Sequence, residues 1–138
     1  MRNHWVLTGK IVSGVQEAAY FTQLDWVQEQ CMEKLGFRPY SGTLNLEISE
    51  ESFPIIEALQ EEEGVKLIPP DPRFCSGKAF PASVGATCGA IIIPAEDVRV
   101  HRNTIVELMA PVRLKEALEV DDGDSITVVV KRPEAQST

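Results

Sequence analysis

An alternation of apolar and polar residues runs through much of the chain and predicts strands. Residues 4–13 are rich in β-branched and aromatic side chains and end in a Ser-Gly turn signal. Leu44, Leu46 and Ile48 alternate with polar neighbours, which is the period of two that a half-buried strand shows. Further strands are predicted over residues 77–84, 88–93, 104–110 and 125–131.

Helical patterns separate these strands. Over residues 22–35, apolar side chains recur every three or four positions, which predicts a helix that Thr22 caps and Gly36 ends. A second helix is predicted from about Ser52 to Gly64, and its acidic end opposes the helix dipole, so its last turn is expected to fray. A short helical piece is predicted over residues 114–118.

Six strands with few, short helices indicate a mainly β fold. Closing such a sheet into a barrel removes the strand edges that would otherwise aggregate. We therefore expect a six-stranded barrel with two or three short helices. A single barrel domain is expected over residues 1–132, followed by a disordered polar tail over 133–138.

Length and charge narrow the classes of function. The chain has 138 residues, which is enough to bury one apolar core without metals or disulfides. Its formal net charge is −8, so it would repel a polyphosphate backbone, and we expect no nucleic-acid partner. A single nucleotide remains compatible with this charge, because a few amides, a lysine or two and Mg²⁺ hold a small phosphate group.

The cysteines and the apolar segments exclude several other classes. Cys31, Cys75 and Cys88 show no C-x-x-C spacing, and His4 and His101 lie far apart, which argues against a zinc site or a disulfide framework. No segment approaches the ~20 apolar residues of a membrane span, and the N-terminus lacks the apolar core of a signal peptide. We expect a cytoplasmic monomer with no membrane partner.

Two polar side chains on the strand near residue 44 are candidates for a metal site. Thr43 and Asn45 lie two positions apart, so a hydroxyl and an amide oxygen point the same way. Such oxygens suit Mg²⁺, but because both are neutral, the ion would have to arrive with substrate phosphates. The alternative is that the two residues form the wet face of a sheet. Glu47 shares this face and is interpreted as a solvated charge.

Two segments could contact phosphate. Residues 10–14 end a strand in Ser-Gly, where backbone N–H groups can turn toward an anion. Residues 112–115 follow a strand, open a helix and carry two cations. A hairpin end and ordinary surface charges explain these two segments equally well.

Glu107 is a further candidate for a functional residue, because it lies in an apolar strand with Ile105 and Met109 on the same side. An unpaired carboxylate there would cost several kcal/mol if buried, so such a group usually has a partner or a function. Without further context, a functional and a structural role are equally favoured. His101, nearby in sequence, is interpreted as an ordinary loop histidine.

A series of stretches along the chain resembles a known family. In order they read GKIVSG, LGFRPYSGTLNLEI, GKAFPASV, GAIIIP, TIVELMAPVRLKEAL and DDGDSITVVV. With them, the chain resembles the archaeal CTP-dependent riboflavin kinases over nearly all of residues 5–131. The most specific part covers residues 36–46, where Gly-Phe, Pro-Tyr and Gly-Thr-Leu-Asn-Leu occur together.

The resemblance implies a cradle-loop barrel that transfers the γ-phosphoryl group of CTP to the ribityl 5′-hydroxyl of riboflavin, giving FMN and CDP. It implies that Thr43 and Asn45 bind Mg²⁺ and that Glu107 contacts the flavin. Glu107 is also our candidate for the catalytic group that orients or deprotonates the acceptor hydroxyl. Finally, it implies a CTP site lined by Lys10, Ile11, Val12, Ser13, Gly14 and Val15, and by Val112, Arg113, Leu114 and Lys115.

The chain departs from the family pattern in two places. Gln16 and Ala18 stand where the family usually has glycines in a Gly-x-Gly-Glu-Gly turn. Around residues 98–100, a threonine that contacts the flavin in the family is replaced. These departures leave two alternatives open: a kinase of the same fold with a changed donor or acceptor, and a non-catalytic barrel that binds a flavin or a nucleotide.

Overall fold

The computed structural model describes residues 4–12, 22–40, 42–70, 77–94 and 105–131. The strands are β1 His4–Val12, β2 Leu44–Ile48, β3 Val65–Leu67, β4 Gly77–Val84, β5 Thr87–Pro94, β6 Ile105–Met109 and β7 Ser125–Lys131. The helices are α1 Asp25–Leu35, α2 Phe53–Glu61 and α3 Leu114–Leu118, with a 3₁₀ turn at Glu50–Ser52. The expected tail over 133–138 lies outside the described residues. Within the described ranges, every helix is too short or too polar to cross a bilayer.

Six of the strands close into an antiparallel barrel. They follow the order β4-β5-β6-β2-β1-β7, and β7 pairs back onto β4 through Ala82 with Val130 and Ser83 with Val129. The prediction of a mainly β, six-stranded barrel is therefore confirmed. The short strand β3 pairs with β4 outside the ring. The sequence pattern did not predict β3, because three residues are too few for a period of two to be recognised.

The alternation in β2 sorts its side chains between the inside and the outside of the barrel. Leu44, Leu46 and Ile48 are buried in the inner core, while Asn45 and Glu47 lie on the outer wall. This division is the one that the sequence pattern predicted. The outer wall therefore carries the polar side chains of β2.

A second, smaller core forms where α1 covers part of the outer wall. Its buried residues are Val27, Cys31, Leu67, Ala79, Ala90 and Met109. The Cys31 Sγ lies 4.0 Å from the Met109 Sδ, and burial raises the pKa of the Cys31 thiol to about 11. The thiol thus stays protonated at neutral pH and acts as a packing group. This cluster fixes α1 against the barrel.

The ends of α1 partly agree with the sequence pattern. Gly36 ends the helix in the left-handed conformation with φ of 88°, as predicted. The predicted cap is wrong: the helix begins at Asp25, the capping position is Leu24, and no side chain caps it. The hydroxyl of Thr22 instead accepts a hydrogen bond from the Gly42 backbone N–H at 2.7 Å.

Helix α2 ends at Glu61, earlier than predicted, and a buried lysine caps it. The Lys78 Nζ lies 2.8 Å from the carbonyl oxygens of both Gln60 and Glu62. Lys78 is buried, so its ammonium group depends on these carbonyls in place of water. A cation at a helix C-terminus also interacts favourably with the helix dipole. This contact offsets the acidic end of α2 on which our prediction of fraying was based.

We expect Lys78→Met to lower the free energy of unfolding by about 2 kcal/mol, because it removes the hydrogen bonds that the buried ammonium group donates to the carbonyls of Gln60 and Glu62 at the end of α2. Urea unfolding measures this loss. The matched control is Lys66→Met, because Lys66 lies opposite Lys78 on β3 but is exposed. Equal stability of the two variants would contradict the capping role.

Candidate functional site

Four residues form a row across the outer wall of the barrel. Val12 on β1 pairs with Asn45 on β2, Asn45 pairs with Glu107 on β6, and Glu107 pairs with Ile92 on β5. Directly opposite side chains in antiparallel strands have Cβ atoms about 5 Å apart. The sheet register therefore places the amide of Asn45 beside the carboxylate of Glu107.

Thr43 joins this pair from the residue just before β2. Its Oγ1 donates a hydrogen bond to the Glu107 Oε1 at 3.3 Å. Thr43, Asn45 and Glu107 are all half-buried, so their oxygens remain accessible. Thr43 and Asn45, the candidate metal ligands, thus lie beside the carboxylate of Glu107, which is more than 60 positions away in the sequence.

The surroundings of Glu107 differ from a uniform apolar face. Ile105 on the same side is 42% exposed, whereas Met109 is fully buried beneath α1. Glu107 lies between them, at the boundary between solvent and the smaller core. A carboxylate at such a boundary can contact a ligand without being desolvated completely.

A cavity of about 170 Å³ opens next to Thr43. Its walls come from the residues before and in β2, from the end of β6 and from the start of α3. The lining residues are Tyr40, Gly42, Thr43, Leu44, Leu108, Ala110, Val112, Arg113, Leu114 and Lys115. All four residues of the second predicted nucleotide segment therefore share one cavity with a candidate metal ligand.

The cations of this segment lie in surface ion pairs. The Lys115 Nζ is 2.7 Å from the Asp122 Oδ1, and the Arg113 Nη1 is 3.5 Å from the Glu116 Oε2. The Arg113 pair is exposed, and the Lys115 side chain is half-buried beside an exposed Asp122. Ion pairs at the surface contribute little to stability, typically below about 1 kcal/mol. Both cations can consequently turn toward an anion in the cavity at low cost.

The first predicted segment is divided by the barrel wall. Lys10 is exposed on the outer face opposite Glu47, and Val12 is half-buried beside Asn45. The side chain of Ile11 is buried in the core. Its backbone N–H donates to the Asp124 carbonyl, and its carbonyl accepts from the Gly123 N–H, both at 2.8 Å. Ile11 is thus a structural residue of the barrel wall.

The remaining residues of that segment, Ser13, Gly14 and Val15, lie outside the described residues. So do Gln16 and Ala18, which replace the family glycines, and residues 98–100 and His101. The described part of the segment nevertheless ends at Val12, next to Asn45. The chain therefore leaves β1 at the candidate metal position.

The cavity also contains residues to which our sequence analysis gave no role. Tyr40 is 44% exposed at the cavity, and its backbone N–H donates to the Ala110 carbonyl at 2.7 Å. Gly42 has φ of 113°, a conformation that L side chains rarely adopt. The Pro-Tyr-Ser-Gly run before Thr43 was the available signal, since turn residues next to candidate ligands often line sites.

A family model matches most of this chain. The model is named CTP-dep_RFKase, carries the description "Domain of unknown function DUF120" and matches residues 11–130. The chain therefore belongs to this family. The resemblance that the sequence motifs indicated is confirmed.

Curated relatives from archaea share the same region. Riboflavin kinase of Archaeoglobus fulgidus is 38% identical over 128 residues, which is 90% of this chain and 54% of the relative. Riboflavin kinase of Pyrobaculum aerophilum is 33% identical over 132 residues, covering 90% and 60% of the two chains. Riboflavin kinase of Ignicoccus hospitalis is 36% identical over 127 residues, covering 90% and 70%. The chain spans little more than half the length of the first of these relatives.

Proposed function

We propose that this chain is a CTP-dependent riboflavin kinase that requires Mg²⁺. The observation that carries the proposal is the meeting of Thr43 with residues 112–115 in one cavity, next to the outer-wall pair of Asn45 and Glu107. The family name supports CTP as the donor, and the names of the relatives support riboflavin as the acceptor.

The oxygens around Thr43 fit a magnesium ion that arrives with a nucleotide. Mg²⁺ prefers oxygen ligands and retains part of its shell from water and substrate phosphates. The hydroxyl of Thr43 and the amide oxygen of Asn45 would hold it from the protein side, with Glu107 close by. Since both ligands are neutral, phosphate oxygens would supply the balancing charge. An ion held by these residues would supply charge neutralisation for the transferred phosphoryl group.

Arg113 and Lys115 are the cations that would bind the phosphates of the donor. Both line the cavity, and both can leave their surface partners at little cost. Phosphoryl transfer depends mostly on positioning and on charge neutralisation, so two cations beside a metal site are suited to it. Lys10 and Val12 would border the same donor from the β1 side, together with the backbone of residues 13–15.

Glu107 would act on the acceptor. Its carboxylate accepts a hydrogen bond from the Thr43 hydroxyl. A substrate hydroxyl that donates a hydrogen bond to the same carboxylate would therefore lie beside the proposed metal ligands. Ile92 and Ile105 lie next to Glu107 on the outer wall and offer an apolar surface to a flavin ring. We assign Glu107 to orienting the ribityl 5′-hydroxyl and accepting its proton.

Tyr40 and Val112 would hold the base of the donor. Both side chains are more than 40% exposed, and both line the cavity. Large apolar side chains exposed in one cavity offer a surface on which a planar ring can stack. The cytosine of CTP would lie on the Tyr40 ring, beyond the phosphates at Arg113 and Lys115.

A donor assay tests the proposed activity. Purified protein is incubated with riboflavin and Mg²⁺ and with either CTP or ATP, and FMN is measured by mass spectrometry. We expect FMN and CDP with CTP, loss of product when EDTA removes the metal, and recovery when Mg²⁺ is restored. Formation of FMN with ATP but not with CTP would contradict CTP as the donor. Binding of riboflavin without turnover would indicate a non-catalytic barrel.

We expect Thr43→Ala and Asn45→Ala each to abolish turnover, because each removes an oxygen from the proposed metal site. Asn45→Asp keeps an oxygen and should retain activity at raised Mg²⁺. The control is Thr127→Ala, because Thr127 is an exposed strand threonine on β7, away from the cavity. Circular dichroism checks that every variant is folded. Full activity in both alanine variants would remove these residues from the mechanism.

We expect Tyr40→Ala to raise the KM for CTP about tenfold, since stacking on an aromatic side chain contributes about 1–3 kcal/mol per base. Tyr40→Phe keeps the ring and should keep the KM. The control is Met32→Ala, which removes an equally exposed side chain on α1 outside the cavity. Steady-state kinetics over a range of CTP concentrations measure the effect. An unchanged KM in Tyr40→Ala would place the base elsewhere.

A further inference from the structure

Two side chains that do not line the cavity hold the segment that contributes Tyr40, Gly42 and Thr43 to it. The Thr22 Oγ1 accepts a hydrogen bond from the Gly42 N–H at 2.7 Å. The Gln28 Nε2 donates to the Pro39 carbonyl at 2.8 Å and to the Thr22 carbonyl at 2.7 Å. Pro39 and Gly42 flank Tyr40 and precede Thr43. We call Thr22 and Gln28 the clamp.

The clamp is anchored on a rigid part of the molecule. Gln28 belongs to α1, whose neighbouring residues Val27 and Cys31 are fully buried against the outer wall of the barrel. Thr22 is itself fully buried. A buried hydroxyl that accepts a backbone hydrogen bond is costly to leave without that bond, so the pairing with Gly42 is strongly favoured.

The clamp acts on a backbone that needs support. Gly42 has φ of 113°. Glycine loses more conformational freedom than any other residue type when its backbone is fixed in one conformation. The bond from Tyr40 N–H to the carbonyl of Ala110 holds one side of the segment on the residue that follows β6. The bond to Gln28 holds it on α1, and the bond to Thr22 holds it on the residues just before α1. The Thr43 hydroxyl follows directly after the clamped Gly42.

We propose that Thr22 and Gln28 are positioning residues for the cavity. They fix the backbone of Pro39, Tyr40 and Gly42, and they thereby set the place of the Tyr40 ring and the Thr43 hydroxyl for a magnesium-bound nucleoside phosphate. Neither clamp residue lines the cavity itself. The identity of the ligand rests on the proposed function, whereas the fixing of the backbone does not.

The test compares Thr22→Val, Thr22→Ser and Gln28→Leu with the wild type. Calorimetry measures the affinity for CDP with Mg²⁺, and NMR measures hydrogen exchange of the Gly42 amide. We expect Thr22→Val and Gln28→Leu to bind about tenfold more weakly, a loss that one or two hydrogen bonds account for. Exchange at Gly42 should accelerate in Thr22→Val. Thr22→Ser keeps the hydroxyl and should restore both properties.

The matched control is Gln30→Leu on the same helix. The Gln30 side chain also makes two backbone hydrogen bonds, to the Ile68 N–H at 2.8 Å and the Ile68 carbonyl at 2.6 Å, away from the cavity. We expect Gln30→Leu to leave nucleotide affinity unchanged. Equal weakening by Gln30→Leu and Gln28→Leu would overturn the inference, because general loosening of α1 would then explain both.

Two further outcomes separate this inference from the proposed function. If the wild type binds the magnesium nucleotide and Thr22→Val binds it equally well, the inference is overturned while the proposed function stands. If the wild type binds no such nucleotide, the proposed function fails, and Gly42 exchange decides on the clamp. Faster exchange in Thr22→Val that Thr22→Ser restores would then support it, and unchanged exchange would overturn it.

Discussion

Closure of the barrel between β4 and β7 is the constraint on which the rest of the structure depends. Ala82 and Ser83 pair there with Val130 and Val129, which turns an open sheet into a ring. The interior of so small a ring is filled by its own side chains, so it has no room for a ligand. Alternation then directs the polar positions outward. The side chains of Asn45 and Glu107 accordingly lie on the outer wall, whereas the cavity beside Thr43 is lined partly by inner-core residues such as Leu44 and Leu108.

The candidate site is bordered by elements that pack around the barrel. Helix α1 packs on the wall through a small apolar cluster and holds the segment that carries Tyr40. The start of α3 contributes Arg113 and Lys115 from the other side. Although the net charge of the chain is −8, both nearest cations face this one cavity. Arg113 and Lys115 are therefore available to an anion in the cavity despite the acidic chain, once each leaves its partner carboxylate.

Local patterns predicted much of the fold and part of the candidate site. The period of two in β2 placed Asn45 on the polar face, and Gly36 marked the end of α1 because glycine readily adopts a left-handed conformation. The same reasoning was wrong for Thr22, since a threonine before a helix looks like a cap whether its hydroxyl bonds locally or elsewhere. All of these signals come from residues that are close together in the sequence.

The sequence by itself determined which side chains are apolar and which are polar along each strand, and so the barrel class and its inner core. Only the tertiary structure decided that Asn45 lies opposite Glu107, that Thr22 bonds to Gly42 and that Lys78 caps α2. Each of these contacts joins residues that are distant in the chain. Their partners depend on sheet register and on how α1 and α2 pack against the closed ring, which no local period encodes.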